Sequence, residues 1–225
     1  VAQLRIASFG NHRNLLLTFF AAAAGVRRQA AEGVIADSSL PNRQQNPIVI
    51  AHRGGRSLGP ENTLYTYRNA VKLGVDVLEM DIRSTRDGQL IVLHDDTVAR
   101  TTNATGPVEN YSLVDLKKLD AAHRWSPDNG QTFPLRNKGV QIPTLPEVFK
   151  AFPQTKLNLE IKEARSSTIQ SLCRLIRDHQ MTSNVVVASF DTDSLKEFRR
   201  PIWKPHIHRT LRFCRFRKPW AISAL

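Results

Sequence analysis

The chain has 225 residues, enough for one sizeable buried core or two small ones. Its 41% hydrophobic and 23% charged content is that of an ordinary globular fold, and two cysteines, Cys173 and Cys214, exclude a disulfide framework or a cysteine metal site. The formal charge of +12 would suit a phosphate-bearing partner, but residues 201–225 supply half of it through Lys204, Arg209, Arg212, Arg215, Arg217 and Lys218, with no acid among them.

In chain order, residues 14–26 form a short apolar run behind Arg5 and Arg13 and ahead of Arg27 and Arg28. Basic, then apolar, then small residues fit a secretory signal or a marginal membrane anchor, although the run is shorter than the roughly 20 residues that span a bilayer. Export, membrane association through this segment and a cytoplasmic location all stay open. Residues 38–45 are polar and read as a linker, so 1–45 precede the folded part.

The folded part spans 46–200. Residues 47–51 are continuously apolar, as in a strand buried on both faces, and end in the loop His52-Arg53-Gly54-Gly55. Asn62 is expected to cap a helix through Tyr65, Ala70 and Val71 that closes at Gly74. Residues 75–82 form the next strand, Asp87-Gly88 a turn, and 90–93 a third strand ending in His94-Asp95. Residues 99–141 are turn-rich and read as an excursion, with one short helix over 113–119. Thr144 then caps a helix through Val148 and Phe149. A strand at 156–161, a helix at 168–179, a strand at 185–188 and a helix at 193–199 complete the pattern.

Strands alternating with helices predict an α/β fold with a parallel sheet, consistent with a (β/α) TIM-type barrel. Only about five of eight strands are legible. Residues 201–225, with Pro201, Pro205 and Pro219, show no strand-turn-helix rhythm, and a truncated or frameshifted reading frame is the expectation for this basic tail.

The chemistry lies where polar residues interrupt apolar strands. Glu79 and Asp81 are two apart and share a face; Asn158, Glu160 and Lys162 do the same on a later strand. Helices cover the outer faces of a parallel barrel, so this polar set should line the interior near one mouth. His52 and His94 fall at strand ends, where such barrels carry their sites. Three acids and two histidines converging there describe a site for a hard divalent cation, Mg²⁺ or Ca²⁺. The histidines can pass protons, and Arg53 and Lys162 supply positive charge for a phosphate.

His52-Arg53-Gly54, Pro60-Glu61-Asn62-Thr63, the stretch from Gly74 to Asp81, Asp87-Gly88, Leu93-His94-Asp95, Arg100-Thr101-Thr102, Ile142-Pro143-Thr144-Leu145 and Asn158-Leu159-Glu160-Ile161-Lys162 resemble the glycerophosphodiester phosphodiesterase family in order and spacing. The resemblance covers roughly residues 48–198. It implies a TIM-type barrel with a small insertion, here near 99–141, and a divalent ion held by Glu79, Asp81 and Glu160. It further implies His52 and His94 as acid and base, with Arg53 and Lys162 contacting phosphate, and Pro60-Glu61-Asn62-Thr63 shaping the loop. The implied reaction is metal-assisted hydrolysis of a small-molecule glycerophosphodiester to glycerol 3-phosphate and an alcohol. A lipid-directed activity of the lysophospholipase D type is the alternative with the same residues. An inactive truncated fragment is the other. No nucleic-acid role is expected, despite Phe213, Phe216 and Trp220 among the cations of the tail.

Overall fold

A computed structural model describes residues 48–163 and 165–200, together with the backbone of three short strands. The strands are β1 (Gln3–Ile6), β2 (Phe19–Phe20), β3 (Val49–Ala51), β4 (Val77–Ser84), β5 (Leu90–Val92), β6 (Lys156–Ile161), β7 (Val185–Ser189) and β8 (Phe213–Arg215). The helices are α1 (Leu64–Lys72), α2 (Leu113–Leu116), α3 (Leu145–Ala151), α4 (Ser166–Asp178) and α5 (Thr192–Phe198). One sheet runs β2-β1-β3-β4-β6-β7-β8, with β5 off this path against β4.

β3, β4, β6, β7 and β8 are successive parallel neighbours, and helices lie between β3 and β4, β4 and β6, and β6 and β7. This is the wall of a (β/α) barrel that does not close among the described residues. Among the described residues five parallel strands are present, but they are not the five read from the sequence. The strand expected at 90–93 as a parallel member is antiparallel, pairing Ile82 with Val92, Arg83 with Ile91 and Ser84 with Leu90. The reason is the connection. Residues 85–89 form only a tight turn, with Gly88 at φ +74°, and so short a link permits a hairpin but no helical crossover. Phe213–Arg215, in a stretch without strand rhythm in the sequence, pairs in parallel with β7. Apart from these short strands, the expected signal or anchor at 14–26, the linker at 38–45 and the basic tail at 201–225 lie outside the described residues. Among the described residues no helix is long and apolar enough to cross a membrane.

Alternation in the strands decides what packs where. In register, Leu78 faces Leu157, Met80 faces Leu159 and Ile82 faces Ile161, and this set joins the main core under the helices. α4 brings Ile169, Leu172, Cys173 and Ile176 to it at helical spacing, all fully buried or nearly so. Burying each aliphatic side chain of this kind is worth about 1.5–3 kcal/mol. Thr144 begins α3 with a full capping box: its hydroxyl accepts from the Glu147 amide at 3.2 Å, and Glu147 accepts from the Thr144 amide at 2.7 Å. The excursion at 99–141 contributes Val108, Leu116 and Ala121 to a second, smaller core that they share with Ile91, Leu93, Val98 and Ile142.

Candidate metal and phosphodiester site

The opposite parity of the same strands is polar. Glu79 faces Asn158 and Asp81 faces Glu160 across the β4–β6 pair, on the inner side of the wall. Glu79, Asp81 and Glu160 are all buried, and one carboxylate oxygen from each lies within 4.8 Å of the others. Strand alternation from two neighbouring strands is sufficient to bring them together.

The loop after β3 closes over these acids. Arg53 is at φ 52° and the next residues, Gly54 and Gly55, are also left-handed, so the backbone turns its amides inward. The Arg53 amide donates to Glu79 Oε2 at 2.7 Å, and the Asn62 amide donates to the Arg53 carbonyl at 3.0 Å. His52 Nε2 sits 4.0 Å from Glu79 Oε2. The Arg53 guanidinium lies between two acids, with Nη1 3.1 Å from Glu61 Oε1 and Nε 3.5 Å from Asp81 Oδ2. Lys162 Nζ bridges Glu160 Oε1 at 2.5 Å and Asp81 Oδ1 at 3.1 Å.

His94 reaches the same mouth by another route. β4 overshoots β6 by two residues, Arg83 and Ser84, and its hairpin partner β5 descends along it on the side of β3. The Leu93 amide donates to the Asp81 carbonyl at 3.0 Å, which sets His94 just beyond the acids. His94 Nδ1 is 2.6 Å from Asp95 Oδ1.

All seven residues singled out from the sequence thus gather at one mouth. Others join them that the sequence reading left in supporting roles. Asn62, expected as a helix cap, is not one: Thr63 caps α1 by accepting from the Thr66 amide, while Asn62 Nδ2 donates to Asp81 Oδ2 at 2.8 Å. Asn62 is free for this because its φ of 57° turns it away from the helix. The buried Tyr67 hydroxyl donates to Asn62 Oδ1 at 2.8 Å and so holds the amide in place. Glu61, Asp95 and Arg100 form an ion-pair network beside His94. A polar residue just before a helix reads as a cap, and only the fold shows that Asn62 is pointed elsewhere.

The electrostatics favour a cation. Burial, reinforced by Asp81 and Glu160, pushes the Glu79 carboxyl up to about 8. Burial likewise raises Glu160 despite Lys162. Burial also works against ionised Asp81, but Lys162, Asn62 and Arg53 outweigh it and hold that carboxyl below its usual range. Three buried carboxylates sharing two cationic side chains are a donor set short of positive charge, made of hard oxygen ligands. That set fits a divalent ion of the Mg²⁺ or Ca²⁺ kind.

Residues 52–220 match the glycerophosphoryl diester phosphodiesterase family. A glycerophosphodiester phosphodiesterase of Caldanaerobacter subterraneus is 36% identical over 182 residues, covering 78% of this chain and 71% of that protein. One of Bacillus subtilis is 34% identical over 161 residues, covering 66% and 54%, and a human lysophospholipase D is 33% identical over 132 residues, covering 57% and 40%. Among solved structures, an Oleispira antarctica phosphodiesterase in complex with the product sn-glycerol-3-phosphate is 31% identical with a TM-score of 0.58, covering 66% of this chain and 59% of that one. The chain therefore spans less than two thirds of the length of several relatives it matches. The family match and the Caldanaerobacter relative together make this chain a member of the glycerophosphoryl diester phosphodiesterase family.

Proposed function

We propose that this protein hydrolyses glycerophosphodiesters to glycerol 3-phosphate and a free alcohol, using a divalent cation, Mg²⁺ or Ca²⁺, held by Glu79, Asp81 and Glu160. The observation that carries this reading is the trio of buried carboxylates within 4.8 Å, flanked by both histidines. When bound, the cation supplies Lewis-acid polarisation of a phosphoryl oxygen. Arg53 and Lys162 bind the phosphate, because each already projects its charge into the mouth and can exchange a carboxylate partner for a phosphate oxygen. His52 and His94 move the protons, one taking a proton from the neighbouring glycerol hydroxyl as it attacks phosphorus and the other giving one to the departing alcohol. Water then opens the resulting cyclic phosphodiester with the two proton roles reversed, leaving glycerol 3-phosphate. Each such group is typically worth about 10²–10⁴-fold in rate. Asn62 and Tyr67 orient Asp81. The relative holding sn-glycerol-3-phosphate supports the product assignment.

The test is release of glycerol 3-phosphate from glycerophosphocholine with Mg²⁺, with Ca²⁺ and with EDTA. Turnover with either ion, lost in EDTA and lost in Glu79→Gln, is expected. Turnover undiminished by EDTA, or none with either ion, overturns the reading. Faster release of choline from lysophosphatidylcholine would select the lipid-directed activity instead.

A further inference from the structure

We propose that Asp95 is a positioning residue for His94, and that Arg100 locks this carboxylate in place by tying it to Glu61 across the mouth. This rests on the reading of His94 as one of the two proton-transfer groups.

His94 and Asp95 are chain neighbours, and on a regular strand their side chains would point to opposite faces. β5 ends at Val92, and the chain bends at residues 94–96, so the two side chains meet with Nδ1 2.6 Å from Oδ1. The His94 carbonyl is held separately by Arg83 Nε at 3.0 Å. A carboxylate oxygen accepts only, so the imidazole must carry its proton on Nδ1 and leave Nε2 as the nitrogen open to exchange with a substrate.

Asp95 is itself fixed. Arg100 donates through Nε to Asp95 Oδ2 at 2.5 Å and through Nη2 to Oδ1 at 3.1 Å. The same guanidinium donates to both oxygens of Glu61, at 2.8 Å and 2.6 Å. Glu61 is in turn paired with Arg53, whose backbone amide holds Glu79. Arg100 therefore links the loop that carries His94 to the loop that carries His52 and Arg53. Burial opposes the charges of Asp95 and Glu61, yet Arg100 holds both carboxyls below their usual range, with His94 assisting at Asp95 and Arg53 at Glu61.

The arrangement makes Asp95→Asn informative. The shorter bond, from Arg100 Nε at 2.5 Å, captures the amide oxygen; the new NH₂ then replaces Oδ1, gives up the 3.1 Å bond from Arg100 Nη2 and turns toward His94 Nδ1. That nitrogen must then accept, and the ring proton moves to Nε2. The volume hardly changes, so the fold is kept while the tautomer is wrong. With the full chain, glycerophosphocholine and saturating Mg²⁺, Asp95→Asn is expected to lower kcat about 10–100-fold with KM within about twofold and an unchanged thermal midpoint. Nitrogen NMR of the His94 ring should report the shift from Nδ1–H to Nε2–H. An unaltered kcat, an unaltered tautomer, or a loss carried wholly in KM overturns the positioning role, provided His94→Ala is inactive. An active His94→Ala protein would instead overturn the acid–base reading of His94, and the positioning role with it. Should Asp95→Asn not fold, Arg100→Gln carries the same test: a fall in kcat at constant KM is expected, and an unaltered kcat overturns it.

Discussion

Replacing Gly54 by alanine should damage both the fold and the site, and the size of the effect follows from the contacts. Gly54 has φ +78°, and a Cβ built on it would lie 2.7 Å and 2.9 Å from two ring carbons of Tyr67. Tyr67 cannot step aside. It is fully buried, its hydroxyl is bonded to Asn62, and its ring meets Phe152 edge-on at 6.1 Å between centroids. Left-handed backbone costs a non-glycine residue about 1–2 kcal/mol, and overpacking a filled core typically costs about 1–3 kcal/mol. Together these give about 2–5 kcal/mol, and for a chain of this size a thermal midpoint lower by roughly 4–20 °C. Gly55 is the internal control: its φ is +91°, but an added Cβ would meet only Leu58, at 3.6 Å. Gly55→Ala should therefore show the backbone cost alone. Thermal unfolding followed by circular dichroism measures both variants. Gly54→Ala and Gly55→Ala falling by the same amount would refute the steric reasoning. Because the Arg53 amide that holds Glu79 is the adjacent peptide unit, activity in Gly54→Ala should fall with stability.

The raised pKa of Glu79 makes stability depend on pH. Its folded value, pushed up to about 8 from 4.5 by burial and Asp81, favours the protonated form, so this contribution is complete below pH 4.5 and is lost as pH rises toward 8. In EDTA the thermal midpoint should decline across that window, and Glu79→Gln should flatten the decline; parallel curves for the two proteins would refute the assignment. Thr144→Ala removes the side-chain half of the α3 capping box and should cost about 0.5–2 kcal/mol by chemical denaturation with little change in turnover, since α3 lies outside the wall. No loss of stability would show that the cap is dispensable.

Much of this organisation was legible in the sequence because it rests on short-range rules. The inward parity of Glu79, Asp81 and Glu160 follows from strand alternation, and the bounds of β6 fall where the apolar pattern begins and ends. What was illegible depends on partners distant in the chain. An apolar run at 90–93 has the composition of a buried strand whichever way it runs, and only the short turn at 85–89 carries a hint of its direction. Asn62 matches both a cap and a carboxylate donor, and its choice is made by Tyr67, five residues on, and Asp81, nineteen residues on. Arg100 lies at the start of a turn-rich excursion, and its partner Glu61 is thirty-nine residues away.

The hairpin of β4 and β5 has a consequence for how this chain can vary. It works as a caliper: one arm carries Asp81, the other ends beside His94, and the turn at 85–89 sets the gap between them. Adding or deleting a single residue there would slide the imidazole along the arm and reverse the direction of every side chain beyond it. Length changes in the excursion that follows, away from the residues that pack on Ile91 and Leu93, leave that spacing untouched. Insertions should therefore accumulate after Arg100 and be excluded between Ser84 and Leu90.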